Sequence, residues 1–315
     1  MTLTKAELKV LLALDEPRTL RELSEELGLS KATLSVLLSS LNKKSLVEFE
    51  GKKPLVVKPV ENKVNDLLRS IKVKYSFLNI ESLLAGNSLK VLAALEVREP
   101  QPPWLLQLKA RVGRATLHRI LNELMERLIV GKRREGYFLS ERFADLKAFA
   151  EEYFYLQNSI KAKEFDPKAS VAWSGVGEFI LATDSYRGKS FDNFQLTGLA
   201  RFSDYGLPLI SAGVYHYYWP SKALTLEEVV VHALKLGSGA REILYALVIL
   251  KAQHFDVKQF KRLGAKFGVS ALVEDLLEYL GGVDKPYPFP SREEVNELCR
   301  EYFGGQCDDN EGKTD

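Results

Sequence analysis

The phrase KATLSVLLSSL begins at Lys31, and RATLHRILNEL begins at Arg114, 83 positions later. The copies share Ala-Thr-Leu, the second leucine of a Leu-Leu or Ile-Leu pair, and the closing leucine. They differ mainly where a helix would face outward. A kept inner face beside a varied outer face marks one folded unit written twice, and it confines the chain to architectures that accept the repeat.

The surroundings of the first copy name the unit. LTKAELKVLLALDE sets Leu8, Val10, Leu11 and Leu12 on a helical stripe. RTLRELSEELGLS offers Thr19 as an N-cap, Glu22 as its capping-box partner and Gly28 as a stop. Ser30 caps a third helix, whose Leu34, Leu37, Leu38 and Leu41 follow the i, i+3, i+4, i+7 rule. SLVEFEGKKPLVVKP then reads as two strands around EGKK. Three helices followed by a hairpin make a winged helix.

The second copy repeats the order. NSLKVLAALEV echoes AELKVLLALDE, Pro103 suits the first turn of a second helix, and Leu117, Ile120, Leu121 and Leu124 form the inner face of a third. LIVGKRREGYFLS is again two strands around a basic tip. Between the copies, VENKVNDLLRSIKVKYSFLNIESLL reads as helical and polar enough for a spacer. After the second wing a helix is expected over about 141–163, either bridging to the C-terminal region or pairing with its mate in a dimer.

From Lys168 the chain changes character, with glycine, aromatic and β-branched residues in short strands, VYHYYWP among them. From Thr225 it turns helical. Thr225 and Glu228 form a capping box, Asp256 caps a later helix, and Gly268 and Gly281 stop two. The expected fold class is therefore α+β, mainly helical: two tandem winged-helix domains, a small mixed α/β unit and a C-terminal helical bundle. The expected boundaries are 1–60 and 87–140 for the winged helices, with a helical linker at 61–86 and a connecting helix at 141–167. The mixed unit spans 168–222, the helical domain 223–304, and a disordered tail 305–315.

Charge bears on function. Residues 1–140 hold 24 Lys and Arg against 16 Asp and Glu, while the rest holds 20 against 26. Such a split suggests that the first half meets a polyanion. On the outer face of the first repeated helix lie Lys31, Ser35 and Ser39, with Thr33 beside them. On the second lie Arg114, His118 and Asn122, flanked by Thr116 and Arg119, with Lys109 and Arg111 extending the patch. Such helices fit the major groove, where Arg or Lys pairs with guanine and Asn with adenine. The wing tips, Lys52 and Lys53 in one and Lys132, Arg133 and Arg134 in the other, suit phosphate contacts. More positive charge makes the second copy the expected principal reader, and Arg114 outranks His118.

Other chemistries find little support. Two cysteines, Cys299 and Cys307, exclude a disulfide scaffold and make a poor zinc site, and whether they pair is left open. SGVGEFILATD has a Ser-Gly turn ahead of Asp184, but no second carboxylate follows to clamp magnesium. His216, His232 and His254 have no nucleophile at partner spacing, and no phosphate-binding GxxxxGK[ST] loop occurs. No apolar run approaches the roughly 20 residues that span a bilayer. No enzyme activity, metal, cofactor or membrane contact is expected, and a cytoplasmic location is.

The order of parts, with WSGVGEFIL followed by LTLEEVVVHALKL, REILYALVIL and FKRLGAKFGV, resembles the AbiEi-type antitoxins and related archaeal winged-helix regulators over about two thirds of the chain. The resemblance implies repression of the protein's own promoter, neutralisation of a nucleotidyltransferase toxin, and a C-terminal half that binds a partner. The sequence departs from that family in carrying two winged helices. The reading that follows is a site-specific double-stranded DNA-binding transcription regulator. Its C-terminal half engages a protein partner or assembles a homodimer. The rivals are an antitoxin acting chiefly on its toxin and a non-catalytic scaffold subunit of a DNA-associated complex.

Overall fold

A computed structural model describes residues 2–51, 54–209 and 213–307. The fold is α+β and mainly helical, and the chain divides into two compact units. One holds residues up to Gln157 with Gly175–Gly177, and the other holds Asn158–Ser174 and the chain from Glu178. Among the described residues no helix is long and apolar enough to cross a membrane.

In the first unit, α1 (Lys5–Ala13) is opened by a capping box between Thr4 and Glu7. A two-residue strand, β1 (Arg18–Thr19), leads into α2 (Leu20–Leu27), where Thr19 and Glu22 form the expected capping box. Gly28 ends α2 in the left-handed region at φ 65°, where a side chain would be strained, and Ser30 caps α3 (Lys31–Lys43). Leu34, Leu38 and Leu41 are buried, while Leu37 is half-buried. The wing is β2 (Val47–Glu50) against β3 (Val56–Pro59), and β1 completes a three-stranded sheet in the order β1-β3-β2.

The segment after the wing forms α4 (Lys63–Lys74) and α5 (Ile80–Leu83). It is helical as expected, but it is no spacer. Val64, Leu68, Ile71, Tyr75, Ile80 and Leu83 are buried in the core of this unit. The apolar positions of α4 recur at helical spacing and outweigh the surrounding Lys, Asn and Arg.

The second copy follows as α6 (Gly86–Ala94), α7 (Pro103–Ala110), α8 (Arg114–Glu126), β4 (Val130–Arg133) and β5 (Gly136–Leu139). Pro103 occupies the first turn of α7, and Leu117, Ile120, Leu121 and Leu124 are all buried. Isolated bridges from Val97 to Leu139 and from Gln101 to Tyr137 take the place that β1 holds in the first copy. Both copies contribute to one continuous core, and the Gly86 N–H donates to the Leu3 carbonyl at 2.8 Å. A 3-10 turn (Glu141–Phe143) leads into α9 (Ala144–Phe165), whose Leu146, Phe149, Ala150, Tyr153 and Phe154 join that core.

Apart from Gly175, the second unit contains a four-stranded sheet in the order β6-β7-β9-β8, from β6 (Ser170–Gly175), β7 (Glu178–Thr183), β8 (Gln195–Thr197) and β9 (Tyr215–Trp219). Alternation along the strands divides its residues between two cores. Phe179, Leu181 and Tyr217 pack in an aromatic cluster with Phe194, while Ile180 and Tyr218 pack with the helices. A 3-10 helix (Gly198–Tyr205) lies between β8 and β9 in sequence. The helices are α10 (Leu226–Leu236), α11 (Ala240–Ala252), α12 (Val257–Phe267), α13 (Ser270–Leu280) and α14 (Arg292–Phe303). Thr225 and Asp256 cap α10 and α12 as expected.

Order extends beyond the expected start of a disordered tail at 305. Gly304–Cys307 forms a 3-10 turn, and buried Cys307 is disulfide-bonded to Cys299 of α14. A covalent tie to a core helix fixes this stretch, and the remaining tail, 308–315, lies outside the described residues.

Candidate nucleic-acid interface

The outward face of α3 is built by its cap and its leucines. The Ser30 hydroxyl accepts from the Thr33 N–H at 3.1 Å, and such a cap contributes on the order of 1 kcal/mol. The Thr33 hydroxyl also bonds Ser30, 2.9 Å away, so exposed Thr33 serves the helix start. With the leucines turned inward, Lys31, Ser35 and Ser39 are exposed along one ridge. Beside them stand two residues that a search for polar side chains passes over: Ala32, exposed, and Val36, 71% exposed. Spacing of four with no inward partner is the signal that finds them.

Among the described residues of the first wing, the one lysine on the strands, Lys58, faces two carboxylates. Glu48 and Glu50 are exposed on β2, and Lys58 of β3 lies 3.4 and 3.3 Å from their carboxylates. Lys52 and Lys53 lie outside the described residues.

On α8, Arg114 and Asn122 are exposed, whereas Thr116 and His118 are half-buried. Arg119 is exposed but paired with Glu123 at 2.6 Å, one turn on. Arg111 closes α7 in the left-handed region at φ 53°, and its guanidinium donates to the Gly177 carbonyl. Lys109 does not extend the patch freely: it and Lys147 both hold Glu96, each at 3.1 Å. Burial alone would raise the Glu96 pKa, but the two ammonium groups outweigh it and leave it lowered.

The second wing is held by backbone and by aromatic rings. Gly136 allows the hairpin to lie on the backbone at Gln101, because a Cβ there would come within 2.1 Å of the Gln101 carbonyl oxygen. Lys132 lies over the Tyr137 ring at 5.4 Å and Arg133 over the Phe138 ring at 4.7 Å, while Arg134 is exposed at the turn. Aromatic rings thus hold two of the three cations on the wing surface.

The remaining histidines are accounted for otherwise. His232 is buried in a core, His216 is half-buried on β9, and His254 is exposed. Among the described residues no three His, Cys, Asp or Glu side chains gather as a metal site.

Residues 1–63 match the family model described as the sugar-specific transcriptional regulator TrmB. Residues 191–303 match a second family model, the C-terminal domain HVO_2833_C. No curated protein matches the chain. No solved structure does either. The TrmB match falls on the first copy, α1 through the wing, and supports a DNA-binding transcription regulator. Neither match carries the AbiEi-type resemblance.

Proposed function

We propose that this chain is a cytoplasmic transcription regulator that binds a specific double-stranded DNA site through both winged-helix copies. The second unit then serves protein interaction or assembly. The observation that carries the reading is the α3 ridge of Lys31, Ser35, Val36 and Ser39, exposed on a capped helix within the segment that matches TrmB. The copies divide the reading. The methyl and hydroxyl surface of α3 suits thymine methyl groups and base-edge acceptors, and Arg114 on α8 suits a guanine edge. The second wing, with Lys132, Arg133 and Arg134, holds the phosphate backbone.

Selection of bound duplexes from a random pool, followed by anisotropy titrations at several salt concentrations, tests this reading. A recovered consensus bound more tightly than scrambled DNA, with affinity falling steeply with salt, is the expected result. Equal affinity for all duplexes, or none at low salt, overturns it.

A further inference from the structure

The second unit contains a cavity of about 190 Å³ that no part of the DNA-binding reading uses. It is formed where the 3-10 helix after β8, the strand β9, the end of α10 and the start of α11 meet. Leu199, Leu209, Val214 and Leu236 supply apolar walls. Among the described residues, polar groups come from three side chains: His216 of β9, and Arg241 and Glu242, which are adjacent on the first turn of α11.

The local chain explains why the opposite charges stand side by side. Gly237 ends α10 in extended conformation, and a Cβ there would come within 3.0 Å of the Glu242 carboxyl carbon. Gly239, the residue before α11, comes as close as 3.1 Å to a Glu242 oxygen by the same measure. The Gly-Ser-Gly loop thus lets the carboxylate fold back over it, and an acidic group on the first turn suits the helix dipole. Arg241 extends over the Tyr245 ring at 5.8 Å, one turn on. A guanidinium has five N–H donors in a plane, so it can grip a carboxylate while keeping other contacts. His216 is held neutral by burial, which lowers its pKa, so it adds hydrogen-bonding capacity without charge.

We propose that this cavity binds a small apolar α-amino acid. Its carboxylate meets Arg241, its ammonium meets Glu242, and its side chain lies among the leucines and Val214. Other ligand classes fit less well. A sugar needs a polar partner for each buried hydroxyl, and these walls are apolar. A nucleotide exceeds the volume, which is below the roughly 300–1,000 Å³ of sites for drug-sized ligands. A fatty acid offers its carboxylate to Arg241 but has no ammonium for Glu242. Binding itself does not depend on the DNA reading; that the amino acid acts as an effector does.

Calorimetric titration of the full chain, without DNA, tests the binding. The probes are L-leucine, L-valine and L-phenylalanine, with isopentylamine, 4-methylpentanoate and D-glucose for comparison. One site per chain for at least one of the three amino acids, and affinity lower by about tenfold or more for isopentylamine and 4-methylpentanoate, is expected. Arg241→Gln and Glu242→Gln should each weaken amino-acid binding by about tenfold or more with the melting temperature unchanged. Ala200→Trp, which fills the cavity from its wall, should abolish binding. Absence of saturable binding at roughly 1 mM of all three amino acids overturns the proposal. So does equal affinity for either half-ligand, binding of glucose in their place, or undiminished binding by the filled variant. A DNA titration with and without bound amino acid then reads the effector role separately, so its failure leaves the binding result standing.

Discussion

Lys44 Nζ lies 2.5 Å from Glu7 Oε1 in the interior of the first unit, with both side chains buried. The Ser40 hydroxyl donates to the same oxygen at 2.7 Å, and Lys44 also donates to the Thr2 carbonyl at 3.1 Å. The pair therefore joins the start of α1 to the end of α3, the helix that presents the proposed reading surface.

Burial alone would raise the Glu7 pKa, but hydrogen bonds from Lys44, Ser40 and the Thr4 backbone outweigh it and leave it below its ordinary 4.5. The stability this group contributes is present above pH 4.5 and is lost as pH falls through its folded value. Glu7→Gln leaves a buried ammonium without its counter-charge and should cost about 3–5 kcal/mol at neutral pH. Replacing both residues, Glu7→Leu with Lys44→Met, should recover most of that loss. Denaturant unfolding of the three proteins decides it, and a single variant as stable as the parent refutes the pairing.

His232 behaves in the opposite chemical sense. Burial, aided by Lys266 and Lys222, brings its pKa down from 6.5 to about 3. Its Nδ1 is 2.7 Å from the Thr197 hydroxyl, and its ring stacks on Tyr218 at 5.1 Å. The folded state keeps the ring neutral while the unfolded chain gains a proton below 6.5, so stability falls from pH 6.5 toward 3. The expected contribution is about 1.4 kcal/mol per pH unit. His232→Gln should flatten the acid slope of the second unit's unfolding by that amount, and an unchanged slope contradicts the assignment.

On the DNA side, Arg114→Ala should relax preference at one base position by about 1–3 kcal/mol, leaving other positions untouched. Ala32→Asp with Val36→Asp should lower affinity most for sites rich in thymine. Binding to a panel of single-base variants of the selected site measures both.

Changing Lys132, Arg133 and Arg134 together to Gln should weaken all duplexes alike and reduce the slope of log affinity against log salt by about 2–3. A loss restricted to the consensus sequence would place these side chains on bases instead.

The Cys299–Cys307 disulfide closes a short loop, with a sequence separation of 8 and Cα atoms 6.0 Å apart. Reduction, or Cys307→Ser, should lower the stability of the second unit by about 2–3 kcal/mol. Unfolding with and without reductant should show the first unit's transition unmoved.

What the sequence makes legible here is what short range decides. Thr19 with Glu22, Ser30, Gly28, Thr225 with Glu228 and Asp256 act on backbone three or four residues away, and each stands where the sequence places it. The inner leucines of α8 obey the same logic. Contacts across the chain escape it: Glu7 with Lys44 is separated by 37 residues and Arg111 with Gly177 by 66. The pairing of Arg119 with Glu123 was within reach, being an i, i+4 pair. The segment at 61–86 misleads because its polar residues are conspicuous and its buried stripe is sparse. The cavity is invisible to any motif, because it draws on four elements between Leu199 and Glu242.

Because the Gly86 N–H is bound to the Leu3 carbonyl and both copies share one continuous core with α4, the duplicated heads are not separable pieces. Two heads of an ordinary dimer are related by a twofold axis, and their operator mirrors that axis as a palindrome. Heads joined covalently within one chain impose no such symmetry. On the proposed reading, the sequence this protein prefers is therefore free to be asymmetric, with a left end and a right end.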